Sequence, residues 1–351
     1  MHVWSIGCGA PSLRLPWIHV DLNRIISMIG TGVDLFFVIS GFCMYLMYAG
    51  KQSAFSGTAY RAFLINRWRR IAPAFYAAVA ACAIIAYARD GHWLWTEIGA
   101  NLIFAQLWIG NGRLNGVFWS LATEWHFYLV LPLLIWGAVR GGFWATLGGL
   151  AIFSIAARIG QSYWLRDIQD KNLPFRLIEF VWGIGVARLY RDGIVPSGPF
   201  RGARGALLAV AVAYLGRLLT VTEIVEAAGR AGPLFRAFAS PLLTFGYALL
   251  LWNVVGSESI VSTTLASVPM RTLGRWSYSI YLWHLYPSVW IASALVTRFG
   301  NGGLMPYVAT VSALLIVVPI SIFSYRWFEA PYFRKRPARL ASRVLTQEGG
   351  L

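Results

Sequence analysis

Gly32-Val33-Asp34-Leu35-Phe36-Phe37-Val38-Ile39-Ser40-Gly41-Phe42-Cys43-Met44-Tyr45-Leu46-Met47-Tyr48-Ala49 is a nearly unbroken apolar stretch with a single carboxylate near its start. A helix that crosses the hydrocarbon core of a bilayer needs about 20 such residues. One stretch alone can also be a buried core helix, so the rest of the chain decides. Comparable runs occupy 71–88, 118–136, 143–157, 175–190, 205–219, 235–255, 276–296 and 304–325, giving nine candidate spans with the first. The apolar segment 97–109 is too short to cross and reads as re-entrant or interfacial. The fold class that follows is all-α, a polytopic membrane helical bundle.

Composition agrees. The 351 residues are 58% hydrophobic before Gly is counted, and only 13% are charged. An ordinary globular chain is roughly 45–50% apolar with Gly included and about 25% charged. The 17 Trp and 16 Tyr suit side chains that settle where helices meet lipid headgroups. A net charge of +16 in a soluble domain would point to nucleic acid. Here the cations lie mostly between apolar runs, so membrane lipid is the expected partner and nucleic acid is not. Only three of the 30 cations are Lys. Arg anchors helices and also matches phosphate geometry. Cys8, Cys43 and Cys82 are odd in number and form no CxxC pair, so neither a disulfide framework nor a metal site is expected.

The distribution of Lys and Arg sets the orientation. Alternate loops and the tail collect 18 of the 30 cations, including Lys51, Arg61, Arg67, Arg69, Arg70, Arg188, Arg191, Arg334, Lys335 and Arg336. That side is predicted to be cytoplasmic, with the C-terminus inside. Residues 1–333 form the membrane domain and 334–351 a basic cytoplasmic tail. Nine spans with the tail inside put Met1 outside. The first seven residues read as the end of a helix that begins upstream, which would make ten spans in the complete protein.

A charge inside lipid costs several kcal/mol, roughly 2.5–3.5 on insertion scales, so each one marks a candidate site. Asp34, Glu124, Glu179 and His284 are such residues. Asp34 near a helix end also fits an interfacial carboxylate, and Ser40-Gly41 would let a neighbouring helix approach closely. In Arg67-Trp68-Arg69-Arg70-Ile71-Ala72-Pro73, Arg67 and Arg70 share a helix face. The trio can hold phosphate bidentately or act as a positive-inside anchor. Pro73 fits the first turn of the next helix. In Trp119-Ser120-Leu121-Ala122-Thr123-Glu124-Trp125-His126, Glu124 needs a partner, a cavity or a proton, and His126 faces away from it. Ser277, Tyr281 and His284 follow helical spacing and fit a hydrogen-bonded seam between helices. No HExxH, GxSxG, Walker or dinucleotide-binding pattern is present.

Six blocks in order, at 32–42, 67–73, 119–132, 174–187, 274–284 and 324–331, resemble the membrane acyltransferase-3 family, which O-acylates bacterial surface sugars. The resemblance implies ten spans, acyl-CoA (acetyl-CoA foremost) as a cytoplasmic donor substrate rather than a permanently bound cofactor, and a glycan or lipid-linked sugar acceptor. It implies a bacterial cytoplasmic membrane and a catalytic His in the first span, whose counterpart is His2. Arg67 and Arg70 match the family's Arg-x-x-Arg block near the donor, with Arg69 between them. Glu124 matches its intramembrane Glu, and Tyr278, Trp283 and His284 match its late aromatic block. His2 is then a general base on a sugar hydroxyl, with Glu124 or Asp34 orienting it. The family carries an upstream Arg that this chain lacks. The alternatives are a secondary transporter or glycan-lipid flippase, whose mark would be paired broken helices in an internal repeat, and an inactive truncated homologue.

Overall fold

The computed structural model describes residues 12–15, 18–21, 30–49, 57–110, 112, 114–164, 170–220, 222–300 and 305–334. Two short strands, β1 (Ser12–Leu15) and β2 (Ile18–Asp21), pair antiparallel with Ser12 opposite Asp21.

Everything else of regular form among the described residues is helical. The principal helices are α1 (Gly32–Ala49), α2 (Gly57–Asp90), α3 (Trp95–Leu102), α4 (Trp119–Arg140), α5 (Phe143–Tyr163) and α6 (Leu173–Arg191). There follow α7 (Gly202–Leu218), α8 (Thr222–Ala227), α9 (Gly232–Gly256), α10 (Ile260–Leu265), α11 (Val268–Trp283), α12 (Leu285–Phe299) and α13 (Met305–Ser324). A π-helical turn (Tyr325–Glu329) leads into α14 (Ala330–Arg334). Among the described residues, five helical stretches are long and apolar enough to cross a membrane: Gly57–Asp90, Trp119–Arg140, Phe143–Tyr163, Gly229–Gly256 and Tyr307–Phe333. α1 is apolar but shorter. Leu133, Ile152, Leu207 and Leu315 are each about 70% exposed on the outside of the bundle. In water such a surface would aggregate; in lipid it is solvated.

Three expectations change. The segment before Ile71 is not loop: α2 is one helix of 34 residues, and Pro73 lies inside it. Pro73 has no N–H for the Arg69 carbonyl, a local loss that the helix absorbs while packing on both sides continues. The run 276–296 is two helices broken at His284. Pro287 cannot donate to the Trp283 carbonyl and its ring crowds that group, so the ladder fails there. The third is the run from Phe143, which extends to Tyr163 rather than ending at 157. α3, by contrast, has eight residues and spans roughly 12 Å, too little to cross.

The main core lies among α1, α2, α4 and α6. Phe127 stacks on Phe180 at 4.0 Å, and Phe37 on Phe180 at 4.8 Å. The close approach expected at Gly41 is present. A Cβ there would sit 2.3 Å from the Phe180 carbonyl oxygen, and one at Gly183 would sit 1.9 Å from that of Val38. The α1 and α6 backbones therefore touch, and only glycine permits it. After α3 the chain turns through Phe104, which has a positive φ of 57°. Its buried ring is clamped by Phe75 at 5.0 Å and Trp125 at 5.2 Å, which holds a conformation costly for a bulky residue.

Candidate active site

α4 is built so that Ser120, Glu124 and Tyr128 repeat at four-residue intervals and share one face. That face, with α1, α2 and α11, encloses an open cavity of about 400 Å³. Ser40 of α1, Arg70 of α2, and Tyr278 and Tyr281 of α11 line it as well. Ser40 Oγ donates to Glu124 Oε1 at 2.9 Å, and the Tyr128 hydroxyl donates a short hydrogen bond to the same oxygen. Glu124 is thus held in apolar surroundings by two neutral hydroxyls. Among the described residues, no cation touches its carboxylate, which is oriented without being neutralised.

The cavity walls are tied by the tyrosines of α11. The Tyr278 hydroxyl donates to the Ile71 carbonyl at 2.8 Å, and that of Tyr281 to the Val117 carbonyl at 2.5 Å. Tyr281 also bonds Ser120 Oγ at 2.6 Å. Of the expected seam of Ser277, Tyr281 and His284, Tyr281 makes the bonds between helices described above. Ser277 bonds the Gly274 carbonyl in its own helix. His284 sits at the helix break with Nδ1 at 2.7 Å from the Tyr281 carbonyl. Trp283 packs against the core, and its indole N–H is buried without a hydrogen-bond partner among the described residues.

The arginine trio divides. Arg67 is 3% exposed; it donates from Nη2 to the Met47 sulfur at 3.2 Å and lies 5.7 Å from the Phe63 ring. Its Nε and Nη1 have no partner among the described residues. Unmet guanidinium donors in a buried position are costly and favour an anion or a polar ligand there. Arg70 is exposed, lines the cavity of Glu124, and lies 5.8 Å from the Phe333 ring. Arg69 points elsewhere, into a separate cavity of about 650 Å³ with Asn66, Trp327 and Tyr332.

Asp34 does not share Glu124's environment. Arg176 Nη1 bonds Asp34 at 2.7 Å and Glu179 at 3.0 Å, and Arg176 Nη2 reaches Asp170 at 3.4 Å. Ser240 donates to Glu179 at 3.1 Å. This ion cluster joins α1, α6 and α9. Arg176 lies in the block 174–187 but is not evident from sequence as a partner of Asp34, 142 positions away. Tyr128 is likewise missed, although its spacing of four from Glu124 is a readable signal. His2 lies outside the described residues.

Residues 1–326 match the family model described as "Acyltransferase domain", Acyl_transf_3. The chain belongs to the acyltransferase-3 family. It is an acyltransferase acting on groups other than aminoacyl groups, and a helical membrane protein. Among curated relatives, acyltransferase MdmB of Streptomyces mycarofaciens is 26% identical over 83% of this chain and 74% of its own length. Peptidoglycan O-acetyltransferase OatA of Listeria monocytogenes is 24% identical over 86% of this chain and 50% of its own. Exopolysaccharide production protein ExoZ of Rhizobium meliloti is 27% identical over 88% of this chain and 90% of its own. The chain therefore spans about half the length of the peptidoglycan O-acetyltransferase. No solved structure matches it.

Proposed function

We propose that this acyltransferase-3 protein moves an acyl group, acetyl foremost, from acyl-CoA to a hydroxyl of a cell-surface or lipid-linked glycan. The observation that carries the reading is Glu124: a carboxylate fixed by Ser40 and Tyr128 in an open cavity inside a membrane bundle, with Arg70 on the same cavity wall. The names of the relatives, a peptidoglycan O-acetyltransferase and an exopolysaccharide production protein among them, support a glycan acceptor.

In the proposed reaction the sugar hydroxyl gives its proton to neutral His2 and its oxygen attacks the thioester carbon. The C–S bond breaks, and the coenzyme A thiolate takes that proton from the imidazolium as it leaves. Glu124 would hold the imidazolium charge, with Tyr128 and Ser40 fixing its orientation. A second route passes the acyl group through His2 as a transient acyl-enzyme. Arg67 and Arg70 would meet donor phosphates, and the unmet donors of Arg67 support this assignment. Arg69, in its own cavity, would serve a more distant part of the donor. We assign Asp34 to the scaffold, since Arg176 already engages it. The protein would lie in a bacterial cytoplasmic membrane with its C-terminus inside.

The test is acetyl-CoA-dependent labelling of glycan in membranes that contain the protein, with mass spectrometry of surface polysaccharide from cells with and without it. Label that depends on the protein and disappears in His2→Ala is the expected result. Undiminished labelling in that variant would remove His2 from the mechanism. No protein-dependent label with any acyl-CoA would remove the donor assignment.

A further inference from the structure

A third, smaller cavity of about 120 Å³ lies where α3, the turn after it and the start of α4 meet. Its walls include Asn101, Gln106, Asn115, Trp119 and Lys171. Asn101 is 2% exposed and Gln106 8%. Each amide is oriented by its own NH2 group: Asn101 Nδ2 donates to the Glu97 carbonyl at 2.8 Å, and Gln106 Nε2 to the Phe118 carbonyl at 2.9 Å. Those bonds fix which end of each amide is oxygen. Asn101 Oδ1 and Gln106 Oε1 are left buried with no hydrogen-bond partner among the described residues. Two buried acceptors without donors, on residues that line one polar cavity, are a costly arrangement unless something supplies O–H or N–H groups.

The cavity backs onto the site of Glu124. The Val117 N–H donates to Asn115 Oδ1 on the small-cavity side, while the Val117 carbonyl accepts from Tyr281 on the other. Trp119 lines the small cavity and Ser120, the next residue, lines the large one. The two cavities are thus separated by the peptides at 117–118. Asn115 also meets Cys82 of α2, fifteen residues beyond Arg67 and roughly 22 Å further along that helix. The arginines and the small cavity therefore lie toward opposite ends of α2, with the Glu124 cavity between them.

Resting on the transferase reading above, we infer that this small cavity is the acceptor subsite, binding a hydroxyl-bearing edge of one sugar unit. Sugar hydroxyls donate to Asn101 Oδ1 and Gln106 Oε1, and the Lys171 ammonium on the same wall donates to sugar oxygens. A volume of about 120 Å³ admits part of a pyranose ring, not a coenzyme. The subsite holds the sugar from the end of the bundle remote from the arginines, so that donor and acceptor meet from opposite sides.

The test uses the full chain in lipid nanodiscs with acetyl-CoA and the methyl glycosides of glucose, galactose and N-acetylglucosamine. Acetyl transfer and saturation-transfer NMR of the glycosides are measured for wild type, Asn101→Leu, Gln106→Met and Leu107→Trp. The first two variants remove an acceptor oxygen, and the third fills the cavity while keeping both amides. Failure of one variant to fold leaves the other two informative. The expected result is an acceptor KM raised roughly five- to tenfold in the amide variants. In Leu107→Trp the saturation-transfer signal of the glycosides should vanish, and the acetyl-CoA KM should stay nearly unchanged in all three. A wild-type acceptor KM and a wild-type NMR signal in all folded variants would mean that the cavity holds only water, and would leave the transferase reading standing. A glycoside signal that vanishes in the variants, from a wild type that never turns over acetyl-CoA, would keep the subsite and sink the transferase. A wild type with turnover on these acceptors but no NMR signal overturns the subsite; one with neither overturns both.

Discussion

Glu124 and Glu179 are both carboxylates carried into the apolar interior, and their neighbours differ in kind. Glu179 is fully buried, meets Arg176 at 3.0 Å, and shares that cation with Asp34. Among the described residues, Glu124 meets only hydroxyls at its hydrogen-bonding oxygen, and it lines an open cavity. A carboxylate neutralised by a contacting guanidinium is a bolt between helices. One held by hydroxyls leaves its carboxyl group open to whatever enters beside it. The same residue type thus ties helices together in one region and lines an open cavity in the other, and the difference lies in the partner.

The comparison breaks first at the bolt. Arg176→Met should leave Asp34 and Glu179 buried without a cation and cost about 3–5 kcal/mol. Thermal unfolding in detergent should show the loss, with activity falling only as the folded fraction falls. A variant that melts like wild type would show that the cluster is no scaffold. Glu124→Gln should behave in the opposite way. Its melting should stay near that of wild type, because the amide oxygen still accepts from Ser40 and Tyr128. Acyl transfer should fall about a hundredfold or more. If this variant unfolds while Arg176→Met does not, the two roles are reversed.

Smaller effects sharpen the contrast. Gly183→Ala places a Cβ 1.9 Å from the Val38 carbonyl and must push α1 from α6, at about 1–3 kcal/mol. α1 carries both Asp34 and Ser40, so stability and transfer rate should drop together. Arg70→Ala should raise the acyl-CoA KM about tenfold, as expected when a charge-assisted hydrogen bond is removed, with melting unchanged. Arg69→Ala, in the other cavity, should raise it less. Ser40→Ala, which removes one of two donors to Glu124, should lower kcat only about fivefold, measured against Tyr128→Phe in the same assay.

Several of these features are legible along the chain, and the reason is local. Apolar length marks the helices because lipid demands about 20 residues wherever they occur. Gly41 reads as a contact point because a glycine in an apolar helix is useful mainly for close approach, and its backbone does touch Phe180. Glu124 reads as special because a lone acid in a span is expensive. Less legible were the break at His284, where Pro287 lies inside an otherwise continuous apolar run, and the unbroken course of α2 through Pro73. In each case a proline has two outcomes, and packing from other helices selects one.

The amino-acid sequence by itself determined that this is a helical membrane protein of the acyltransferase-3 type, because lipid solvation and ordered local blocks are written in consecutive residues. It could also nominate Arg67, Arg70 and Glu124. Only tertiary structure decided that Asp34 belongs to Arg176, that Arg69 turns away from its two neighbours, and that Tyr128 and Ser40 hold Glu124. Ser40 and Glu124 are 84 positions apart, and Asp34 and Arg176 are 142. Which pairs meet at such separations depends on how helices pack, and no spacing rule within one helix contains that information.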